Sequence, residues 1–402
     1  MYVGSPGAMT ATQPPNLVLV PGTPAARLAD GRTSIVHVVG ARPNFVKMAP
    51  VIAALERRMA FRQIVVHTGQ HYDSRMSDDV LADLDFPDVD VFLGVGSGTH
   101  GVQTAKVLSE FEKVLLEQRP DLVVVAGDVN STLACALAAS KLGIAIAHVE
   151  AGLRSFDWSM PEEVNRVLTD RLADLLFTHS PEATDNLEAE GIGGGRIYYV
   201  GNTMIDSLRR CETRARALEA WTTVGMRERG YVLVTLHRPA NVDDPARLAG
   251  IVQGLEGLAA HTSVVFPIHP RTRARLAEDG GLDRLETAGV ACVEPVAYLE
   301  FLSLQAGAGA IVTDSGGVQE EASALGVSCF TFRPNTERPV TLTHGTNVLL
   351  GEDPSEIAEV WPASHPPTPC AIPLWDGHAG ERVADALVAN YAMVIGAAEA
   401  HA

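Results

Sequence analysis

The sequence predicts an α/β protein of two Rossmann-like domains, each a doubly wound parallel sheet, facing one another across a cleft. Three observations carry this expectation. At 402 residues the chain exceeds what one ordinary core serves and suits two domains. From Ser34 onward, short β-branched runs alternate with Ala- and Leu-rich helical stretches, and they do so in two series. Continuous apolar runs separated by helices are the pattern of parallel strands buried on both faces. Nearly every run ends in a polar cluster: Arg42, Gln70, Asp128, Glu150, His237, His269 and Asp314. Doubly wound sheets bind ligands outside the carboxyl ends of their strands, so two facing sheets would pool these clusters in one cleft.

Taken in order, residues 1–33 are rich in Pro, Gly, Ala and Thr and lack a cationic start followed by a long apolar run. They are expected to be a disordered tail and not a signal peptide, with Met9 as an alternative start. IVHVVG, QIVVHTG, DLVVVAGD, IAIAHVE, LLFTHS and IYYVGN are the strands of an N-terminal domain over 34–205. The charged, helical stretch from Asp206 to about Gly230 joins it to a C-terminal domain over 206–380, whose strands are YVLVTLH, SVVFPIH, ACVEP, AIVTDSGG, SCFTFRP and NVLLG. Residues 381–402 read as a helix packing back on the N-terminal domain. A hinge is expected near Asp206–Leu208 and again after about Gly351.

The net charge of −18 argues against bulk binding to nucleic acid or an anionic membrane, so an anionic ligand must be held by local Arg, Lys and helix N-termini. No apolar run approaches the roughly 20 residues that cross a bilayer. Five scattered cysteines without CxxC spacing read as reduced thiols of a cytoplasmic protein, not as a disulfide frame or a zinc site.

AIVTDSGGVQEEASALG reads as strand, turn and helix start. Ser315, Gly316 and Gly317 would leave backbone N–H groups free to take a phosphate, Gly being required because a Cβ would hold the diphosphate off. Glu320 and Glu321 follow in the next turn, where a carboxylate can accept from ribose hydroxyls; the plain alternative is first-turn acids favouring the helix dipole. In GARPNFVKMAP, Arg42 and Lys47 open a helix and could clamp that diphosphate, or form a surface ion pair. Asp128 in GDVNST and Glu150 in HVEAGLRS end neighbouring strands and could divide acid and base work. Against this, Asp128 could simply cap the following helix. Glu162 and Arg166 in PEEVNR have the i,i+4 spacing of an ordinary ion pair. His237 in LVTLHRP is an acid/base or phosphate-donor candidate, equally readable as structural, and His269 in FPIHPRTR invites the same two readings. GVGSG at 94–98 lacks dinucleotide-site spacing and reads as a flexible turn.

Nine blocks in collinear order from Ile35 to Gly351 — GARPNFVKMAP, HTGQHYD, GDVNSTLACALAA, HVEAGLRS, PEEVNR, GNTMID, VTLHRP, TDSGGVQEE and NTERPVTLTHGTN — resemble the non-hydrolysing UDP-N-acetylglucosamine 2-epimerases. The resemblance implies a GT-B-type pair of domains, no metal or nicotinamide cofactor, a UDP-sugar substrate and a homodimer. It implies inversion at C2 of UDP-GlcNAc to UDP-ManNAc, by elimination of UDP to 2-acetamidoglucal and re-addition. By position it assigns substrate and diphosphate contacts to Arg42, Lys47, Arg166, His237, Ser315, Gly316, Gly317 and Arg338, the ribose acid to Glu321 and a uracil-side ring to Phe301. The acid/base candidates are Asp128, Glu150 and Glu162. Two departures stand out. Ala240 replaces the usual Glu of HR-x-E, removing any part that residue has in orienting the histidine. HYD after Gln70 differs from members that UDP-GlcNAc also activates allosterically. Rival readings are a hydrolysing epimerase releasing ManNAc and UDP, a UDP-sugar glycosyltransferase of the same fold, and a non-catalytic nucleotide-sugar sensor.

Overall fold

A computed structural model describes residues 33–58, 61–70, 81–366 and 368–399, without the side chains of Pro362 and of 391–399. The expected N-terminal tail therefore lies outside the described residues except for Thr33, and so does the HYD block. Two parallel sheets form. The first has seven strands: β1 (Thr33–Val39), β2 (Phe61–His67), β3 (Val91–Phe92), β4 (Leu122–Ala126), β5 (Ala145–Ala151), β6 (Leu175–Thr178) and β7 (Ile197–Tyr199). They lie in the order β3-β2-β1-β4-β5-β6-β7. The second has six: β8 (Tyr231–Thr235), β9 (Ser263–Pro267), β10 (Val290–Val293), β11 (Ala310–Thr313), β12 (Ser328–Thr331) and β13 (Asn347–Leu349), in the order β10-β9-β8-β11-β12-β13. The short edge strand β3 was not anticipated, having only two residues and little apolar signal. The GVGSG turn follows it, with Gly94 and Gly96 at positive φ and Val95 and Gly96 N–H bonded to Thr68 and Gly69 carbonyls.

The central strands are apolar throughout because helices cover both faces: LVVVA of β4 and AIVT of β11 are wholly buried. In each sheet the winding direction reverses once, between β1 and β4 and between β8 and β11. At those two points the helices after adjacent strands leave on opposite sides, opening a crevice at the carboxyl ends. Asn44 ties the first crevice together: its Oδ1 accepts the Gly40 and Ala41 N–H groups, and its Nδ2 donates to the Ala126 carbonyl.

The chain passes between the sheets twice. The first passage, after β7, leads into one continuous helix, Thr203–Leu218. The expected hinge residues Asp206–Leu208 thus lie within a hydrogen-bonded helix. Asp206 is also fastened, taking the N–H groups of Ala379 (3.0 Å) and Gly380 (2.7 Å) at the start of the last helix, Ala379–Glu399. The return passage runs beside the first at Gly201 and Leu374. Helix Ala379–Glu399 then lies against helix Arg42–Arg58, joined by ion pairs of Arg57 and Arg58 with Glu381 and of Arg58 with Asp385. Among the described residues no helix is long and apolar enough to cross a membrane.

Candidate active site

Both crevices open into one cleft of about 430 Å³. Of the substrate, ribose, uracil and acid/base residues that the resemblance assigns, every one except Glu150 lines it. Arg42, Lys47, Asp128, Glu162 and Arg166 come from the first sheet, and His237, Phe301, Ser315, Gly316, Gly317, Glu321 and Arg338 from the second.

On the second sheet, helix Gly316–Leu325 starts after β11 with no side-chain cap on its first N–H groups. An uncapped N-terminus in a cleft is an anion site. The glycines serve it differently than expected. A Cβ on Gly316 would meet the Arg338 guanidinium at 2.3 Å, so glycine there admits Arg338; a Cβ on Gly317 would stand an ordinary 3.6 Å from Met204 Sδ. One turn on, Glu321 is buried, accepting from Gln305 (2.6 Å) and Tyr298 (3.4 Å). Burial raises its carboxyl above the usual range, with Gln305 and Arg42 partly opposing. Arg42 lies 6.0 Å from the Tyr298 ring, and burial lowers its own pKa.

His237 is held by Asp314, a buried residue absent from the candidate set. Asp314 stands 3.1 Å from Nδ1 of His237 and takes the backbone N–H groups of His237 and Arg238 and the amide of Asn241. Burial would raise its carboxyl, but the bond and charge of His237 outweigh that and hold it low. With Ala240 in place of a glutamate, the orienting carboxylate is thus supplied by the next strand of the sheet. His269 lines the cleft 6.2 Å from the His237 ring and caps helix Pro270–Glu278.

On the first sheet, two plain alternatives are not formed. Asp128 does not cap helix Asn130–Lys141; the N-cap is Val129, without a side-chain bond, and Gln70 Oε1 takes the Ser131 N–H instead. Asp128 pairs with Arg166 (2.5 Å). Nor does Arg166 pair with Glu162: it reaches Glu163 at i,i−3 (2.6 Å), leaving Glu162 on the cleft wall. Burial would raise Asp128, but Arg166 and Lys47 together hold it below the usual carboxylate range.

Glu150 departs most from expectation. A bulge in β5 shifts the register between Val149 and Ala151 and puts Glu150 at φ 68°. A bulge re-aims one side chain out of the alternation of its strand. Glu150 ends buried behind the cleft, 2.7 Å from Lys47 Nζ and 3.5 Å from Arg338. Arg338 contacts Glu320 and Glu337 as well, and Glu337 also binds Arg333. Burial would raise Glu337, but Arg338, Arg333 and Arg238 drive it well below the ordinary range. The cleft wall therefore carries Arg42, Lys47, Arg166 and Arg338 beside Asp128, Glu162, Glu321 and Glu337, while the partners Glu150, Glu163 and Glu320 do not line it, and cations fixed in this way are preorganised for a polyanion.

The profile of the UDP-N-acetylglucosamine 2-epimerase family matches residues 53–388. The chain belongs to this family. Its members are isomerases acting on carbohydrates. The UDP-N-acetylglucosamine 2-epimerase of Methanocaldococcus jannaschii is 46% identical over 327 residues, covering 80% of this chain and 89% of that one. Its crystal structure in complex with UDP-GlcNAc and UDP matches with a TM-score of 0.83 at 43% identity, over 89% of this chain and 99% of that chain. The UDP-2,3-diacetamido-2,3-dideoxy-D-glucuronate 2-epimerase of Pseudomonas aeruginosa is 44% identical over 329 residues, 81% of this chain and 90% of that one. The epimerase family and the GT-B-like pair of sheets agree with the resemblance drawn from the motifs.

Asn44, Glu163 and Glu337 escaped the sequence reading as site residues, and Asp314 was marked there only by its place at a strand end beside the glycines. Glu320, read with Glu321 as an acceptor for ribose hydroxyls, does not line the cleft and instead meets Arg338 and His179.

Proposed function

We propose that the chain inverts C2 of a UDP-2-acetamido sugar, UDP-GlcNAc to UDP-ManNAc, by elimination and re-addition. The observation carrying this reading is the uncapped helix start at Ser315–Gly317 facing Asp128 and Glu162 across one cleft. C2 of an intact sugar has no carbonyl beside it, so loss of its proton alone would leave a carbanion with nothing to delocalise it. Elimination avoids that. A carboxylate takes the C2 proton, the C–H pair becomes the C1=C2 double bond, and the C1–O bond breaks with its electrons leaving on UDP. Returning a proton to C2 from the other face while a UDP oxygen bonds to C1 gives the epimer.

The chemistry asks for leaving-group stabilisation and for two proton-transferring groups. The helix N-terminus, Arg42 and Arg338 serve the first. His237, its ring oriented by Asp314, donates to the same diphosphate. Asp128, kept ionised by Arg166, and Glu162 line the sugar side and exchange the C2 proton. Glu150 acts from behind by fixing Lys47 and Arg338. Glu321 takes the ribose hydroxyls and Phe301 flanks the uracil. The domains divide near residues 205 and 380, and the working unit is a homodimer, which light scattering tests.

The test is an NMR time course in D2O with UDP-GlcNAc, and with the diacetamido uronate that the P. aeruginosa relative is named for. Deuterium entering C2 of an intact sugar nucleotide supports epimerisation. Free ManNAc and UDP would instead assign a hydrolysing enzyme, and no C2 exchange with either sugar would overturn the reading.

A further inference from the structure

One buried contact joins the two halves away from the cleft surface. His179 directly follows β6 of the first sheet, while Glu320 sits on helix Gly316–Leu325 of the second. His179 Nε2 stands 3.1 Å from Glu320 Oε1, with side-chain exposures of 2% and 0%. Beyond its ion pairs, neither Glu320 oxygen has a hydrogen-bond partner among the described residues, and neither His179 nitrogen has one. The same Glu320 oxygen lies 2.9 Å from Arg338 Nε, and Arg338 reaches back to Glu150 of the first half, itself paired with Lys47. Ionisable groups in contact therefore run from His179 to Lys47, passing from one half to the other and back. His179 is anchored, since Trp375 of the returning chain donates to its carbonyl at 3.0 Å.

Packing two halves together does not require this. A buried ion pair contributes little net stability compared with apolar side chains of like volume, because both charges lose their hydration. Its position is what distinguishes it: Glu320 is on the inner side of the helix whose start opens into the cleft, and it holds the guanidinium for which Gly316 leaves room.

We propose that His179 is a positioning residue for the reaction, fixing Glu320 so that Arg338 is held between Glu320 and Glu150 only when the two halves meet. Arg338 and Lys47 are then placed together as the charge of the leaving UDP develops. This rests on the epimerase reading, and it adds a residue that does not line the cleft and that acts across the two halves.

The test is a double-mutant cycle of His179→Ala and Glu320→Gln, with melting, UDP affinity and turnover measured on each protein and His179→Gln as the conservative variant. The Gln amide can place a donor near the position of Nε2, within reach of Glu320. We expect His179→Ala to fold, to bind UDP within about threefold of wild type and to lose kcat on the order of tenfold or more. His179→Gln should recover much of that loss. In the Glu320→Gln background, His179→Ala should change kcat by less than about twofold, because partners in one network are not additive. Wild-type kcat in a folded His179→Ala protein, full additivity, or a loss confined to UDP affinity would each overturn the proposal. Should His179→Ala not fold, the cycle with His179→Asn, whose shorter amide cannot reach the position of Nε2, decides by the same criteria. If the wild type turns over neither sugar, the epimerase reading falls by itself. The His179–Glu320 contact is then judged by deuterium exchange with UDP bound, where His179→Asn should speed exchange both in 316–325 and around Glu150, and no change at either would refute it.

Discussion

At the scale of single residues, the structure separates the three acids that look alike in the sequence. Asp128 makes no cap, so its loss should not cost the ~1 kcal/mol of a helix cap. For a group moving the C2 proton, Asp128→Asn and Glu162→Gln should each lower kcat on the order of 10²–10⁴-fold with KM much less affected. Steady-state kinetics on proteins of unchanged melting temperature checks this. Glu150→Gln should behave differently, since it frees Lys47 and Arg338 behind the cleft: a weaker UDP complex by calorimetry accompanies its lower turnover. The two glycines form a matched pair for testing the proposed diphosphate site. Gly316→Ala drives a methyl into Arg338 and should disturb folding and binding together. Gly317→Ala meets only Met204 at 3.6 Å and should melt at or slightly above wild type, because Ala is the better helix former. If the diphosphate sits on this helix start, the same substitution should weaken UDP binding by about tenfold or more; undiminished UDP affinity would remove the helix from the site.

At the scale of elements, the two passages of chain between the sheets touch at Gly201. Its φ is 87°, and a Cβ there would lie 2.1 Å from the Leu374 carbonyl oxygen. Gly201→Ala should therefore cost about 2–4 kcal/mol, from backbone strain and the forced separation of the two passages. Urea unfolding measures it, and a loss under about 1 kcal/mol would mean the passages yield freely. Strand β1 carries a pH-dependent element. His37, buried against Gln63, is pushed down to about 4 by burial, below its unfolded value of 6.5. Between those values the unfolded chain holds more protons, so stability present above pH 6.5 is lost as the pH falls toward 4, by up to about 3 kcal/mol. Asp206 opposes it. Burial raises its carboxyl to about 6, so what it contributes is present below its unfolded value and is lost as the pH rises through 6. Denaturant unfolding of His37→Gln at pH 7.5 and 5 isolates the first effect, and the variant should lose less stability on acidification than wild type.

At the scale of the whole molecule, the proposed mechanism requires that its elimination product be kept from water and from escape until UDP returns. The halves should therefore open and close around the cleft. Such a motion should bend the short segments beside Gly201 and Leu374, because Asp206–Leu208 are locked in a helix that also holds the start of the last one. X-ray scattering should show a smaller radius of gyration with saturating UDP. Identical profiles would mean the halves stay fixed.

The sequence by itself determined the alternation of strand and helix, the two sheets and the polar residues at the strand ends, because these follow from local periodicity and from where a parallel strand must stop. It also carried the family, through nine short blocks in order. What it could not carry is which side chain answers which. The burial of Glu150 depends on one bulge in β5, and the pairing of Arg166 with Glu163 and Asp128 depends on how a helix from one crossover leans over the end of β4. The holding of His237 by Asp314, 77 residues away, depends on two strands lying side by side. These were decided by the tertiary structure, for a physical reason: charge pairing in a dry interior is set by distance in space, and the sheet order brings together residues that the chain keeps far apart.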